Sequence, residues 1–247
     1  MFVAASTRCF SDRPFEDACE QLAELQYDKV EIWLDETQDH LKPSHVIADP
    51  ESFCARFRDV TRMTPIAINL ENEVSLEDFQ ALVRVAQLFR LTQITIPASP
   101  LGTPFNAEID RLRAHHRIAS ADGVHVSIKT KTGHLTEDPH TAVELCQATP
   151  GVGITLDPSY YICGPVPNQS YDQVFPYVFH THLRDTLPDN LQVRIGLGEI
   201  DYSRIISQLQ RNNYNLALSV EILPERLGDI DRAVEMRKMR LLLESLL

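Results

Sequence analysis

Glycine is scarce, with 9 residues in 247, and none lies in the first expected strand-to-helix turn, Ser6-Thr7-Arg8-Cys9-Phe10-Ser11. A dinucleotide site needs glycines there so that backbone can approach a pyrophosphate, which disfavours a Rossmann nucleotide domain. The five cysteines (Cys9, Cys19, Cys54, Cys146 and Cys163) include no Cys-x-x-Cys pair. An odd number without that spacing argues against a disulfide framework and a zinc knuckle and favours buried free thiols. Basic charge is also short, 23 Lys and Arg against 35 Asp and Glu, for a formal net charge of -12. Binding duplex phosphates needs a basic face that displaces counterions, so no nucleic-acid partner is expected. Apolar runs of membrane-spanning length are missing, and Met1-Phe2-Val3-Ala4-Ala5-Ser6 lacks the basic flank and apolar stretch of a signal peptide. The expectation is a cytoplasmic protein without a membrane partner.

What remains is ordinary for a folded chain: 43% hydrophobic and 23% charged residues, neither disordered nor low in complexity. Short β-rich runs alternate with longer amphipathic ones along the whole length, the signature of a parallel sheet with crossover helices. Strands are expected at Phe2 to Ser6, Lys29 to Leu34, Pro65 to Leu70, Gln93 to Pro97, His125 to Thr130, Gly153 to Asp157, Val178 to Leu183 and Ala217 to Ile222. Helical patterns fall at Phe15 to Leu25, Pro50 to Val60, Leu76 to Leu91, Asn106 to Ala121, Pro139 to Thr149, Ser203 to Asn212 and Leu227 to Leu247, with a weak one near Gln169 to Phe175. Ser75 and Asp201 stand where an N-cap oxygen is wanted. Eight such units in one domain, residues 1 to 247, fit an α/β fold, a single (β/α)8 TIM barrel. In that fold chemistry sits at the C-terminal strand ends.

The last four strand ends concentrate ionisable groups on otherwise apolar strands: Lys129 and Lys131, Asp157, then His180, His182 and Arg184, then Glu221. Side chains two apart share a strand face. An unpaired carboxylate in a packed barrel is costly, so Asp157, His182 and Glu221 require a shared partner. A divalent ion such as Zn, Mn or Mg suits that ligand set; a buried ion-pair cluster without a ligand suits it equally.

Five segments in order, Val30-Glu31-Ile32-Trp33-Leu34, Gly153-Ile-Thr-Leu-Asp157-Pro-Ser, His180-Thr-His182-Leu-Arg-Asp185, Gly196-Leu-Gly198-Glu-Ile-Asp201-Tyr and Leu218-Ser-Val-Glu221, resemble the xylose isomerase-like barrel superfamily. Its members include sugar isomerases and epimerases, dehydratases and an abasic-site endonuclease branch. The resemblance implies one divalent metal (Mn, Mg or Zn) held by Asp157, His182, Glu221 and a further glutamate on strand 5, with the two glutamates transferring the proton. It implies a sugar, keto-sugar or polyol substrate and often a homo-oligomer. Two positions depart from the pattern: Lys129 stands where the strand 5 glutamate belongs, and Tyr160 where a substrate-binding histidine often follows the aspartate.

A lysine about 4 Å from a dication is repelled by roughly 8 kcal/mol at an effective dielectric near 20. Three arrangements follow. The Lys129 ammonium replaces the metal; or a metal binds and Lys129 becomes a neutral base; or Lys129 swings away to hold a substrate anion. The first needs no unusual protonation state and is favoured. Only five of the 23 basic residues are lysines, and Lys129 and Lys131 share one strand; the bland alternative leaves both in solvent.

The candidate catalytic residues are thus Glu221 and Lys129, and the candidate substrate contacts Lys131, Arg184, Glu31, Tyr160 and His180. Glu31 serves equally well as a structural partner of a lysine. Trp33 reads as core, Asn69 and Glu71 as hydroxyl-binding or loop residues, and His115 and His116 as helix surface; His134 and His140 carry no assignment. Isomerase or epimerase chemistry by proton transfer next to a carbonyl leads. A catalytically degenerate barrel that binds a sugar-like ligand or a protein is the alternative, and the endonuclease branch, which needs a trinuclear zinc set, is disfavoured.

Overall fold

The alternating runs become eight strands in the computed structural model, which describes residues 1–247. They are β1 (Phe2–Ser6), β2 (Lys29–Leu34), β3 (Thr64–Leu70), β4 (Gln93–Pro97), β5 (His125–Lys129), β6 (Val152–Leu156), β7 (Val178–Leu183) and β8 (Ala217–Val220). Each pairs in parallel with its chain neighbours, and β8 closes on β1 in the register Phe2 with Ala217 through Ala5 with Val220. The result is a single (β/α)8 barrel.

Around it lie α1 (Phe15–Glu24), α2 (Pro43–Ala48), α3 (Pro50–Val60), α4 (Leu76–Phe89), α5 (Phe105–Ser120), α6 (Pro139–Ala148), α7 (Ser159–Ile162), α8 (Tyr202–Arg211) and α9 (Arg232–Ser245). The expected caps form: Ser75 Oγ accepts from Asp78 N at 3.0 Å and Asp201 Oδ1 from Arg204 N at 2.9 Å. Their apolar faces pack on the outer barrel surface as one core, and no helix is long and apolar enough to cross a membrane.

Several boundaries differ from the pattern for local reasons. The β5 and β6 ladders stop one residue early because the Thr130 hydroxyl takes over, accepting from Asp157 N at 2.8 Å and donating to Asp157 O at 3.1 Å. Beyond β8, Ile222 N donates to Cys9 Sγ at 3.2 Å rather than to a strand. The last helix starts at Arg232, not Leu227, because Asp231 caps it through Val234 N at 3.1 Å. The weak pattern near Gln169 forms a 3-10 segment, Asp172–Tyr177, with Pro176 inside. Helices α2 and α7 are short pieces that period alone does not reveal. His115 is not a surface residue: it is buried, its Nδ1 lies 2.9 Å from Arg111 O, and its ring meets Phe79 edge-on at 4.6 Å. All five cysteines are free, four of them buried.

Glycine matters most after β7. Asp185 Oδ2 accepts from Gly196 N at 2.7 Å and Gly198 N at 3.0 Å, which draws this loop in. A Cβ on residue 198 would run into the Asp185 carboxylate and lie 2.6 Å from Thr186 O. Gly198→Ala should therefore lower stability by about 1 to 3 kcal/mol, as overpacking does. A thermal melt matching wild type would show that the loop yields freely.

Candidate functional site

Inside the barrel the usual branched aliphatics give way to polar layers. Near the middle, Gln93 Nε2 donates to Ser127 Oγ at 2.5 Å, and Thr155 Oγ1 lies 2.5 Å from Ser127 Oγ and 2.7 Å from Thr95 Oγ1. Buried hydroxyls and amides need partners, and these supply one another.

Glu31, on β2, is fully buried and forms the hub of a second group. Its carboxylate contacts His180 Nε2, and His182 Nε2 lies 2.9 and 3.0 Å from its two oxygens. Asn69 Nδ2, on β3, donates to it at 3.3 Å. Burial would raise the Glu31 carboxyl, but His182 and His180 outweigh it and hold it well below the ordinary range. Burial in turn lowers the His180 imidazole. Glu31 and His180 thus face each other rather than the mouth of the barrel, and His180 borders a separate cavity of about 190 Å³ at the N-terminal strand ends.

Above this layer Lys129, Asp157, Arg184 and Glu221 converge. Lys129 Nζ donates to both Glu221 oxygens, at 2.7 and 2.8 Å. Arg184 Nη2 lies 2.6 Å from Glu221 Oε2 and 2.7 Å from Asp157 Oδ2. The second approach is ionic but misaligned, since Asp157 Oδ2 has no hydrogen-bonded partner. Arg184 is further fixed by Glu221 O at 2.9 Å and Ser159 Oγ at 3.0 Å, and Ser159 Oγ donates to Asp157 Oδ1 at 2.5 Å. Two carboxylates therefore face two cations, all almost wholly buried. Burial lowers the Lys129 ammonium's pKa, but Glu221 and Glu71 more than restore it, to above its ordinary value. For Glu221 burial works upward, and His182, Lys129 and Arg184 prevail to hold it well below the carboxylate range.

At the C-terminal strand ends opens a cavity of about 520 Å³, whose lining does not include Lys129, Asp157, Arg184 or Glu221 themselves, and whose size falls inside the span of small-molecule sites, about 300 to 1,000 Å³. Lys131 and Tyr160 line it, with Arg8, Glu71, Leu191 and Leu223. Glu71 Oε2 accepts from Arg8 Nη1 at 2.6 Å and Trp33 Nε1 at 3.2 Å, while Oε1 accepts from Lys131 Nζ at 2.8 Å. The guanidinium of Arg8 lies over the Trp33 ring, 4.7 Å from its centre.

The structure thus brings Asp157, His182 and Glu221 together, their ligand atoms all within 4.8 Å of one another. Asp157 Oδ2 and His182 Nδ1 are buried without hydrogen bonds, His182 Nδ1 standing 3.5 Å from Glu221 Oε1. Those orphaned atoms keep the outline of a ligand set. Lys129 Nζ already sits on both Glu221 oxygens and Arg184 Nη2 on Glu221 and Asp157, so a divalent ion bound by this set would stand close to two fixed positive charges, which oppose it.

Arg8 drew no attention in the sequence because an arginine in a first turn reads as solvated. Asn69 had a bland alternative; in the structure it bridges the two layers, donating also to Glu221 Oε1 at 3.3 Å.

Comparison with known proteins gives a consistent picture. A family model described as xylose isomerase-like TIM barrel matches residues 19–243. No curated protein sequence matches the chain. Among solved structures, a xylose isomerase-like barrel protein from Mycobacterium smegmatis in complex with magnesium is 19% identical, with 99% of this chain and 97% of that one covered at a TM-score of 0.75. The probable 3-DHS dehydratase of petrobactin synthesis from Bacillus anthracis is 18% identical over 97% and 98%, TM-score 0.73. An L-ribulose 3-epimerase is 14% identical over 100% and 96%, TM-score 0.72.

Proposed function

The chain belongs to the xylose isomerase-like TIM barrel family, and from that premise we propose that it takes a sugar, keto-sugar or polyol into the cavity over its strand ends and works without a divalent ion. One observation carries the reading: Lys129 Nζ sits on both Glu221 oxygens while Arg184 Nη2 lies between Glu221 and Asp157. Two monocations supply the charge of one dication and neutralise the same two carboxylates. Lys129 then takes the place of the family's strand 5 glutamate, and the metal site is altered rather than merely empty.

The reaction class carried over from the family's epimerases is proton transfer next to a carbonyl. It needs a group that stabilises developing negative charge and a base of suitable affinity. The Lys129 ammonium serves as the first. Glu221, held ionised by its neighbours, is the acceptor available for that proton, though a weak one. That same acidity favours a second reading, a barrel that binds its sugar-like ligand without turnover.

Both are tested on protein dialysed against a chelator and checked for residual metal, then mixed with a panel of ketoses in deuterated solvent. Exchange of the proton next to the carbonyl, seen by NMR, is expected if the chemistry persists, and binding without exchange if the barrel only binds. Binding abolished by the chelator and restored by Mn²⁺ would sink the metal-free reading.

A further inference from the structure

The cavity has two unlike halves. From the ends of β1, β3 and β5 come Arg8, Glu71 and Lys131; from the segments after β6, β7 and β8 come Tyr160, Cys163, Leu191 and Leu223. Tyr160, Leu191 and Leu223 form a small apolar cluster apart from the main core. One wall is charged and the other offers an apolar face to a ligand.

The charges on the first wall do not cancel. Arg8 and Lys131, with side chains 11% and 30% exposed, share the single carboxylate of Glu71. Three donors already occupy it, so Lys131 keeps unused N–H groups, and Arg8 Nε is buried with no partner. Beneath, Lys129 and Arg184 balance Asp157 and Glu221. At the mouth Asp189, Glu225 and Arg226 are exposed, and the contact of Arg8 Nη2 with Glu225 at 3.2 Å is weakened by water and salt. That wall keeps one positive charge beyond Glu71, while deeper in the barrel the Glu31 carboxylate lies against His180 and His182. Glu71 registers the field: burial raises its carboxyl, yet Lys129, Arg8 and Lys131 bring it down to about 2.

We propose that the ligand is a sugar acid, a polyhydroxylated molecule with one carboxylate, which is held by Lys131 and Arg8 while its carbon face lies on Tyr160, Leu191 and Leu223. A single surplus charge matches a monoanionic carboxylate better than a dianionic phosphate. An anchor of this kind is also what a site lacking a divalent ion requires to orient a polyol. The assignment rests on the metal-free reading above.

Calorimetric titration of the chelator-treated protein at low salt tests it with D-glucuronate, its neutral amide and glucose 6-phosphate. The acid should bind about tenfold or more tightly than the amide, the scale of one charge-assisted hydrogen bond. Lys131→Met should erase that preference, and added salt should weaken acid binding in wild type. Equal affinity for acid and amide, tighter binding of the phosphate, or no binding of any of the three with or without Mn²⁺ overturns the sugar-acid assignment. A preference for the acid that emerges only with Mn²⁺ upholds it and overturns metal independence instead.

Discussion

Lys129→Ala is expected to lower stability at neutral pH by about 3 to 5 kcal/mol, the cost of breaking a buried ion pair from one side. Arg184 stays against Glu221 at 2.6 Å, which places the loss near the lower end of that range. For a domain of this size such a loss moves the melting temperature by roughly 6 to 12 °C. The pH dependence separates this loss from simple cavity formation. The Glu221 carboxyl, raised by burial, is brought well below its ordinary range by His182, Lys129 and Arg184. A depressed carboxylate contributes stability above the unfolded value, about 4.3, and that contribution is lost as pH falls toward the folded value. Removing Lys129 weakens the depression, so wild type and variant should differ most above about pH 5 and converge only as pH falls below about 4 toward the depressed folded value. Melts across that interval check it; a small gap that ignores pH would mean the ammonium gives Glu221 no support.

Much of this site was legible because strand ends in a parallel barrel form a strict frame. Asp157, His182 and Glu221 needed only the right strand and parity to be placed together, and their ligand atoms do lie within 4.8 Å. What the pattern did not contain is direction. Arg184 stood in the sequence as a candidate substrate contact, and which way its guanidinium reaches, between Asp157 and Glu221 with 1% exposed, was not readable there. Glu31 and His180 were grouped with the substrate contacts for the same reason. Parity gives a face, whereas depth along the barrel axis depends on the register of every neighbouring strand. The cavity's charged wall was harder still, since Arg8, Glu71 and Lys131 follow three different strands and meet each other and Trp33 only once β1 to β5 are laid side by side.

Lys129→Glu should have the largest effect, a loss of stability in chelator that added metal partly returns. In wild type, Asp157 and Glu221 are balanced by Lys129 and Arg184, so an added divalent ion meets no net negative charge. The substitution turns that balance into three carboxylates around one guanidinium, a surplus of two negative charges that a divalent ion cancels. Without metal, the new carboxylate close to Glu221 adds repulsion of about 4 kcal/mol at 4 Å and an effective dielectric near 20, on top of the lost ion pair. The variant should therefore melt well below wild type in chelator. With Mn²⁺ or Zn²⁺, the unpartnered Asp157 Oδ2 and His182 Nδ1 gain a partner, along with Glu221 and the new carboxylate, a donor set suited to either ion. Metal at a hundredfold excess over its dissociation constant would return about 2.7 kcal/mol. Adding Arg184→Met should tighten binding further, because the remaining guanidinium opposes the ion. Thermal melts with chelator and with each metal measure all of this. If wild type is stabilised by metal as much as the variant, the buried ammonium does not stand in the ion's place; if the variant ignores metal, Asp157, His182 and Glu221 are not a ligand set.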